Sequence, residues 1–193
     1  MVLNDTEQNA INVTDPFRME SDAKIKIVEW KDDLDFVLFC GEHYGFGGKN
    51  FDVIHRRTFY YDKVVEVLII NDFLHHLNST NRIYAFTHMH LSQDLEPSVK
   101  NGLIRDVYIP GDNQDFLSIR ILEPENSEVK IYDSWVSPSY GNRIASKSIA
   151  WTWQKQSMAL IVRYKDADRE SLDTRISDAM SRYDQLNNNA TYS

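Results

Sequence analysis

Apolar residues recur along this chain with two different periods. Ile25, Ile27 and Val28 form one short β-type run and Phe36-Val37-Leu38-Phe39 a second, with Lys31-Asp32-Asp33 read as the turn between them. From Asp62 to Leu77 the spacing changes. Val64, Val65, Leu68, Ile69, Phe73, Leu74 and Leu77 recur every three to four positions, which predicts an amphipathic helix. Asp62 stands where an N-cap carboxylate would accept the first free amides. Gly41 to Asn50 reads as a loop, and Ile83, Ala85 and Phe86 as a short extended segment. Val107 to Pro110 and Leu117 to Leu122 read as strands, the second with Ile119 and Ile121 on one face. Glu123-Pro124-Glu125-Asn126 is a turn signal, and Val129, Ile131 and Tyr132 then carry a return strand, which predicts a hairpin. Ser146 to Tyr164 stays open: Ile149, Trp151 and Trp153 alternate like a strand, while Ala159 to Val162 fits a strand or a buried helix turn. Asp168 to Leu186 predicts an amphipathic helix with Leu172, Ile176, Met180 and Tyr183 along its stripe.

This order of elements predicts an α+β fold, an antiparallel or mixed sheet with flanking helices. Residues 1–22 are polar and aperiodic and read as a flexible N-terminal arm. Residues 23–186 read as a single domain and 187–193 as a flexible tail. With 42% hydrophobic and 12% aromatic residues the composition is globular. A net charge of −8 argues against nucleic acid as a partner. No run of apolar residues is long enough to suggest a membrane span, and no basic-plus-apolar leader is apparent. The single cysteine, Cys40, rules out an internal disulfide, so a cytoplasmic or nuclear location is expected.

Three stretches, in order, resemble the SUMO and ubiquitin-like-protein-specific cysteine proteases, relatives of the adenovirus protease. Phe59-Tyr60-Tyr61-Asp62-Lys63-Val64-Val65 is similar to that family's Trp-Leu-Asn-Asp-Glu-Val-Ile helix opening. Val107-Tyr108-Ile109-Pro110 resembles its Ile-Phe-Ile-Pro strand, and Val129-Lys130-Ile131-Tyr132-Asp133-Ser134 its strand ending Tyr-Asp-Ser. The resemblance runs from Phe59 to Tyr164 and implies a papain-like cysteine protease architecture. Asp133 would then occupy the position of the triad acid. The catalytic His would fall on Asp115 or Phe116, the oxyanion-side Gln on Gln154 and the nucleophile on Ser157. No histidine follows His90, and the Asp-Cys-Gly signature is absent.

Thiol protease chemistry needs a thiolate, an imidazole and a group that orients it, so the resemblance implies a degenerate, non-catalytic member. Such a pseudoprotease would bind a protein, for example a ubiquitin-like one, through Phe59, Asp62, Phe116 and Trp135, with no cofactor and no metal. Other constellations carry less. Cys40 ends an apolar run and reads as buried and inert rather than paired with His43, His55, His88 or His90. His88 and His90 share a strand face, and His75 adjoins His76, but no acidic or Cys partner stands at a telling distance. Asp112 or Asp115 with Glu128 and Lys130 weakly resembles a metal-dependent nuclease pattern. The alternatives to a binding module are therefore a structural or assembly protein of unrelated α+β fold, or a hydrolase or nuclease with unusual residues.

Overall fold

Period two, not the helical period, governs most of the chain. The computed structural model describes residues 1–7, 14–15, 23–46, 52–76, 83–99, 106–110, 115–123, 129–165 and 171–190. The strands are β1 (Val2–Leu3), β2 (Thr6–Glu7), β3 (Ile25–Asp32), β4 (Phe36–His43), β5 (Val53–Asp62), β6 (Val67–His76) and β7 (Ala85–His90). They continue as β8 (Ser98–Val99), β9 (Asp106–Pro110), β10 (Asp115–Glu123), β11 (Val129–Ser139), β12 (Asn142–Trp153) and β13 (Gln156–Lys165). One helix closes the described chain, α1 (Leu172–Ala190). All pairings are antiparallel and build two sheets, one five-stranded in the order β11-β12-β7-β1-β2 and one eight-stranded in the order β3-β4-β5-β6-β13-β10-β9-β8.

The sheets pack as a β-sandwich. Leu3, Ala85, Val129, Ile149, Trp151 and Trp153 of the short sheet meet Val53, Leu74, Ile119, Ile121 and Ala159 of the long one. The opposite face of the long sheet carries Leu38, Tyr60, Val67, Ile69, Met158, Leu160 and Val162, which bury the Leu172, Ile176, Ala179 and Tyr183 stripe of α1. β13 shows the alternation: Ala159 serves the inter-sheet core, while Met158, Leu160 and Val162 serve the helix.

The fold is a β-sandwich, not an α+β papain-like fold. The helix expected over Asp62–Leu77 is the end of β5, a turn and β6. β6 lies between β5 and β13 and buries both faces, so its apolar residues run together and mimic a helical stripe. Asp62 does accept amides, from Val64 (3.0 Å) and Val65 (3.1 Å), but it caps the β5–β6 turn rather than a helix. The expected hairpin between β10 and β11 does not exist: β10 pairs with β9 and β13, β11 pairs with β12, and the two belong to different sheets. The turn residues 124–128 lie outside the described ones. Residues 1–7 are not a free arm, because β1 pairs with β2 and β7 and Leu3 is buried. Ser146 to Tyr164 resolves as β12 and β13 around a turn at Gln154–Lys155.

The inter-sheet core also contains polar contacts. The Trp151 Nε1–H donates to Ser157 Oγ at 2.7 Å and the Trp153 Nε1–H to Thr87 Oγ1 at 2.9 Å. Ser157→Ala should leave a buried indole N–H without an acceptor and cost about 1–3 kcal/mol. A urea titration should show the midpoint fall at unchanged slope; an unmoved midpoint would refute this role for Ser157.

Candidate functional site

The long sheet is wider than its cover. Among the described residues no β3 or β4 side chain joins the inter-sheet core, so that corner of the inner face is open. Strand register lays out three rows across it: Trp30, Phe39 and Phe59; Ile27, Gly41, Arg57 and Asp72; Ile25, His43, His55 and Leu74. The first row is an aromatic platform, with ring centroids 6.1 Å apart for Trp30–Phe39 and 6.3 Å for Phe39–Phe59. Trp30 is 63% exposed. Phe39 leans over Gly41, where an added Cβ would come within 3.1 Å of the ring. Ile25, Ile27, Lys26, Phe39, Arg57 and Phe59 line a cavity of about 280 Å³ in this corner, with His43 and His55 at its wall.

Beneath the cavity lies a polar network. Arg57 grips Asp72 with a two-pronged bond, Nε to Oδ1 at 2.6 Å and Nη2 to Oδ2 at 2.9 Å. Its remaining N–H donors have no protein partner among the described residues. His55 Nε2 bonds the same carboxylate at 2.7 Å, and His55 Nδ1 meets His43 Nε2 at 2.8 Å. The Gly45 N–H donates to His43 Nδ1 across a long 3.4 Å. That fixes the proton order: His43 Nε2–H donates to His55 Nδ1, and His55 Nε2–H donates to Asp72. Burial alone would raise the Asp72 carboxyl, but hydrogen bonds from His55 and Arg57, with the Arg57 charge, hold it below the usual range. Burial first, then repulsion from His55, pushes His43 down to about 4, so it is neutral at pH 7. Among the described residues no group of three His, Cys, Asp or Glu side chains is placed to hold a metal ion.

The residues singled out from sequence scatter. Phe59 lines the cavity. Asp62 is fully buried on the helix side of β5, ion-paired to Arg182. Ser157 is buried under Trp151, whereas Asp133 is exposed on β11 of the other sheet and paired to Lys147 at 2.7 Å. The two do not face each other across a groove. Gln154 sits exposed at the β12–β13 turn, and Trp135 lies exposed on β11. Asp115 and Phe116 are backbone positions in β10 whose side chains lie outside the described ones. Phe59, Phe116 and Trp135 belong to three separate strands, β5, β10 and β11, and β11 lies in the other sheet. Arg57, His43, His55 and Asp72 were missed as a group. Their signal was a strand, Val53-Ile54-His55-Arg56-Arg57, with polar residues at every inward position but the first.

Fold and corner together define an antiparallel β-sandwich with an open face of aromatic rings and an anchored guanidinium. The sequence matches the heparinase II/III-like, C-terminal family model over residues 1–177, so the chain belongs to that family. This overturns the cysteine protease resemblance, and with it goes the reason to expect a ubiquitin-like partner. Among solved structures the chain is similar to heparan sulfate lyase HepC from Pedobacter heparinus. The identity is 14% and the TM-score 0.62, covering 74% of this chain and 22% of that one. It is also similar to a heparinase III gene product (13%, TM-score 0.57, 74% and 22%) and to another heparinase III structure (12%, TM-score 0.59, 75% and 22%). The chain thus spans about a fifth of the length of these structures. No curated protein matches the sequence.

Two predictions follow from the network. The unfolded chain protonates His43 near the ordinary histidine value, 6.5, and the folded chain only near 4. Between those values the unfolded state binds more protons, so stability falls as pH drops from 6.5 toward 4, by about 2–3 kcal/mol. His43→Gln, which still offers an amide donor to His55, should flatten that acid limb in urea titrations run from pH 7 to pH 4. Asp72→Ala strands Arg57 and His55 and should cost about 3–5 kcal/mol by the same measurement.

Proposed function

We propose that this chain is the saccharide-facing β-sandwich of a lyase-type protein acting on acidic polysaccharide. The observation that carries the reading is Arg57. Asp72 fixes it from below, it lines an open cavity with donors that have no partner among the described residues, and an aromatic platform flanks it. A planar guanidinium matches a carboxylate or sulfate, and aromatic rings stack on the apolar face of a sugar. Proteins sharing this fold are named as heparan sulfate lyase and heparinase III, and that is consistent with an anionic, sugar-ring ligand.

Elimination next to a sugar carboxylate breaks the carbon–hydrogen bond beside the carboxylate, forms a carbon–carbon double bond and breaks the next carbon–oxygen bond, and the oxygen leaves with a proton. It needs the carboxylate held, a base for the proton lost from carbon and a donor for the proton gained by oxygen. In this reading Arg57 does the first. His43 is the imidazole placed to contribute to the second: it is neutral at pH 7, among the described residues its Nδ1 is met only by the long Gly45 contact, and His55 and Asp72 hold its tautomer. These groups bind, orient and hold protons.

The test is calorimetry with a heparan sulfate octasaccharide and a neutral dextran of equal length. The sulfated, uronate-bearing ligand should bind with strong salt dependence and dextran should not. Arg57→Ala should weaken binding about tenfold and Arg57→Lys less, because Lys keeps the charge but loses the fork. Equal affinity for Arg57→Ala and the parent protein would sink the reading.

A further inference from the structure

The far edge of the short sheet carries a feature the corner does not use. β12 pairs with β7 from Ser148 to Trp153, and just beyond it the Leu91 amide donates to the Lys147 carbonyl (3.0 Å) and Ser146 Oγ donates to the Leu91 carbonyl (2.6 Å), so among the described residues Asn142 to Ala145 have β11 as their sole ladder partner. Residues Trp135 to Ala145 therefore form a two-stranded arm at the edge of the sandwich, turning at Tyr140-Gly141, where Gly141 has φ +73°. A free two-stranded ribbon is marginal in water and ordinarily carries polar side chains. This one exposes Trp135 (53%) and Tyr140 (97%).

Register places Asp133, Trp135, Ala145 and Lys147 on one face of the arm, and Arg143 lies over the Trp135 ring with its guanidinium carbon 4.3 Å from the centroid. Lys147 is neutralised by Asp133 at 2.7 Å. Arg143 has no carboxylate partner among the described residues. Ala145, directly opposite Trp135, is too small to cover the indole. The arm thus combines an exposed aromatic plate with a cation over it that has no carboxylate partner among the described residues.

We propose that this Trp135–Arg143 pair is a second acidic-saccharide subsite, separate from the Arg57 corner. The occupant is an anionic sugar, stacked on the indole with its carboxylate or sulfate on Arg143. Charge complementarity argues for it: the cation has no carboxylate partner among the described residues, and its chemistry repeats the guanidinium-plus-aromatic pairing of the corner. The proposal rests on the acidic-polysaccharide reading for its ligand class. β1, at the other side of the short sheet, places Met1 against the corner cavity, so the arm and the corner lie at opposite sides of that sheet.

Two-dimensional NMR of the Trp indole N–H signals, titrated with a heparan sulfate tetrasaccharide, tests it. Trp30 reports the corner and Trp135 the arm. The expected result is a saturable shift of Trp135 that survives Arg57→Ala and weakens about tenfold in Arg143→Gln, with Trp135→Ala removing the event. Neutral chitotetraose should leave Trp135 unmoved. A shift of Trp30 with Trp135 still would overturn the arm subsite and leave the corner reading standing. A shift of Trp135 that ignores Arg143→Gln, or matches that with chitotetraose, would overturn the charge argument. Self-association in sedimentation, lost in Trp135→Ala, would assign the arm to a second copy of the chain instead. No shift of either indole would overturn the arm subsite, and unchanged calorimetry would then decide the corner.

Discussion

An eight-stranded sheet cannot be covered completely by a five-stranded one, and this mismatch organises the molecule. The long sheet must bury two faces. Its outer face is closed by α1, whose Leu172, Ile176, Ala179 and Tyr183 lie on Leu38, Tyr60, Ile69 and Leu160. Its inner face is closed by the short sheet only where β5, β6, β13 and β10 meet Trp151, Trp153 and Ile149. β3 and β4 lie beyond that cover. No side chain of the short sheet covers the inward positions there, so they carry the exposed rings and aliphatic groups that flank Arg57 of neighbouring β5. Ile25 is 81% exposed on this face, which an ordinary edge strand would avoid.

Two buried carboxylates then fix what the apolar cores leave loose. Asp62 accepts from the Val64 and Val65 amides, from Tyr60 and from Arg182, and so ties the β5–β6 turn to α1. Arg175 adds bonds to the Val65 carbonyl. Burial works against the Asp62 charge, but the Arg182 bond and the amides hold its carboxyl below the usual range. The same arrangement, burial first and then the Asp62 charge beside it, pushes the Tyr60 hydroxyl up to about 12. Asp72 plays the matching part on the inner face with Arg57 and His55. Replacing either carboxylate would leave an arginine without its partner, the expensive case for a buried pair. The difference is position: Asp62 faces a helix and is structural, whereas Asp72 stands under an open cavity and aims a guanidinium into it.

Local patterning reached some of this and missed the rest for definable reasons. Ile25 to Phe39 read as two strands because each run is short and flanked by polar residues, and α1 read as a helix because its outer face meets solvent. The turn after β3 fell at residues 33–35, two positions beyond the expected Lys31-Asp32-Asp33. β6 failed because a strand buried on both faces has no period-two contrast. Asp62 reinforced the error, since a carboxylate accepting amides two and three residues ahead starts a helix and closes an Asx turn alike. The β10–β11 hairpin failed because a turn signal says that the chain reverses, not that it returns to the same sheet. The short motifs around Tyr132-Asp133-Ser134 are what any exposed edge strand of this composition can show, and they carried an unrelated family resemblance.

The site itself was illegible for a stronger reason. His43, His55, Arg57 and Asp72 come from three strands, and only register brings them into adjacent rows. Register in a sheet is set by which residues face the core. A slip of one residue in β5 would send His55 and Arg57 to the α1 side and bring Arg56 and Thr58 inward. Val53 opposes that slip, because it is fully buried in the inter-sheet core two residues before His55, and so does Tyr60, fully buried on the helix side three residues after Arg57. The cores on the two faces thus fix, from opposite sides, the alternation that presents Arg57 to the open corner. The chemistry of that corner is a consequence of packing elsewhere: the apolar residues that never meet a ligand decide which guanidinium does.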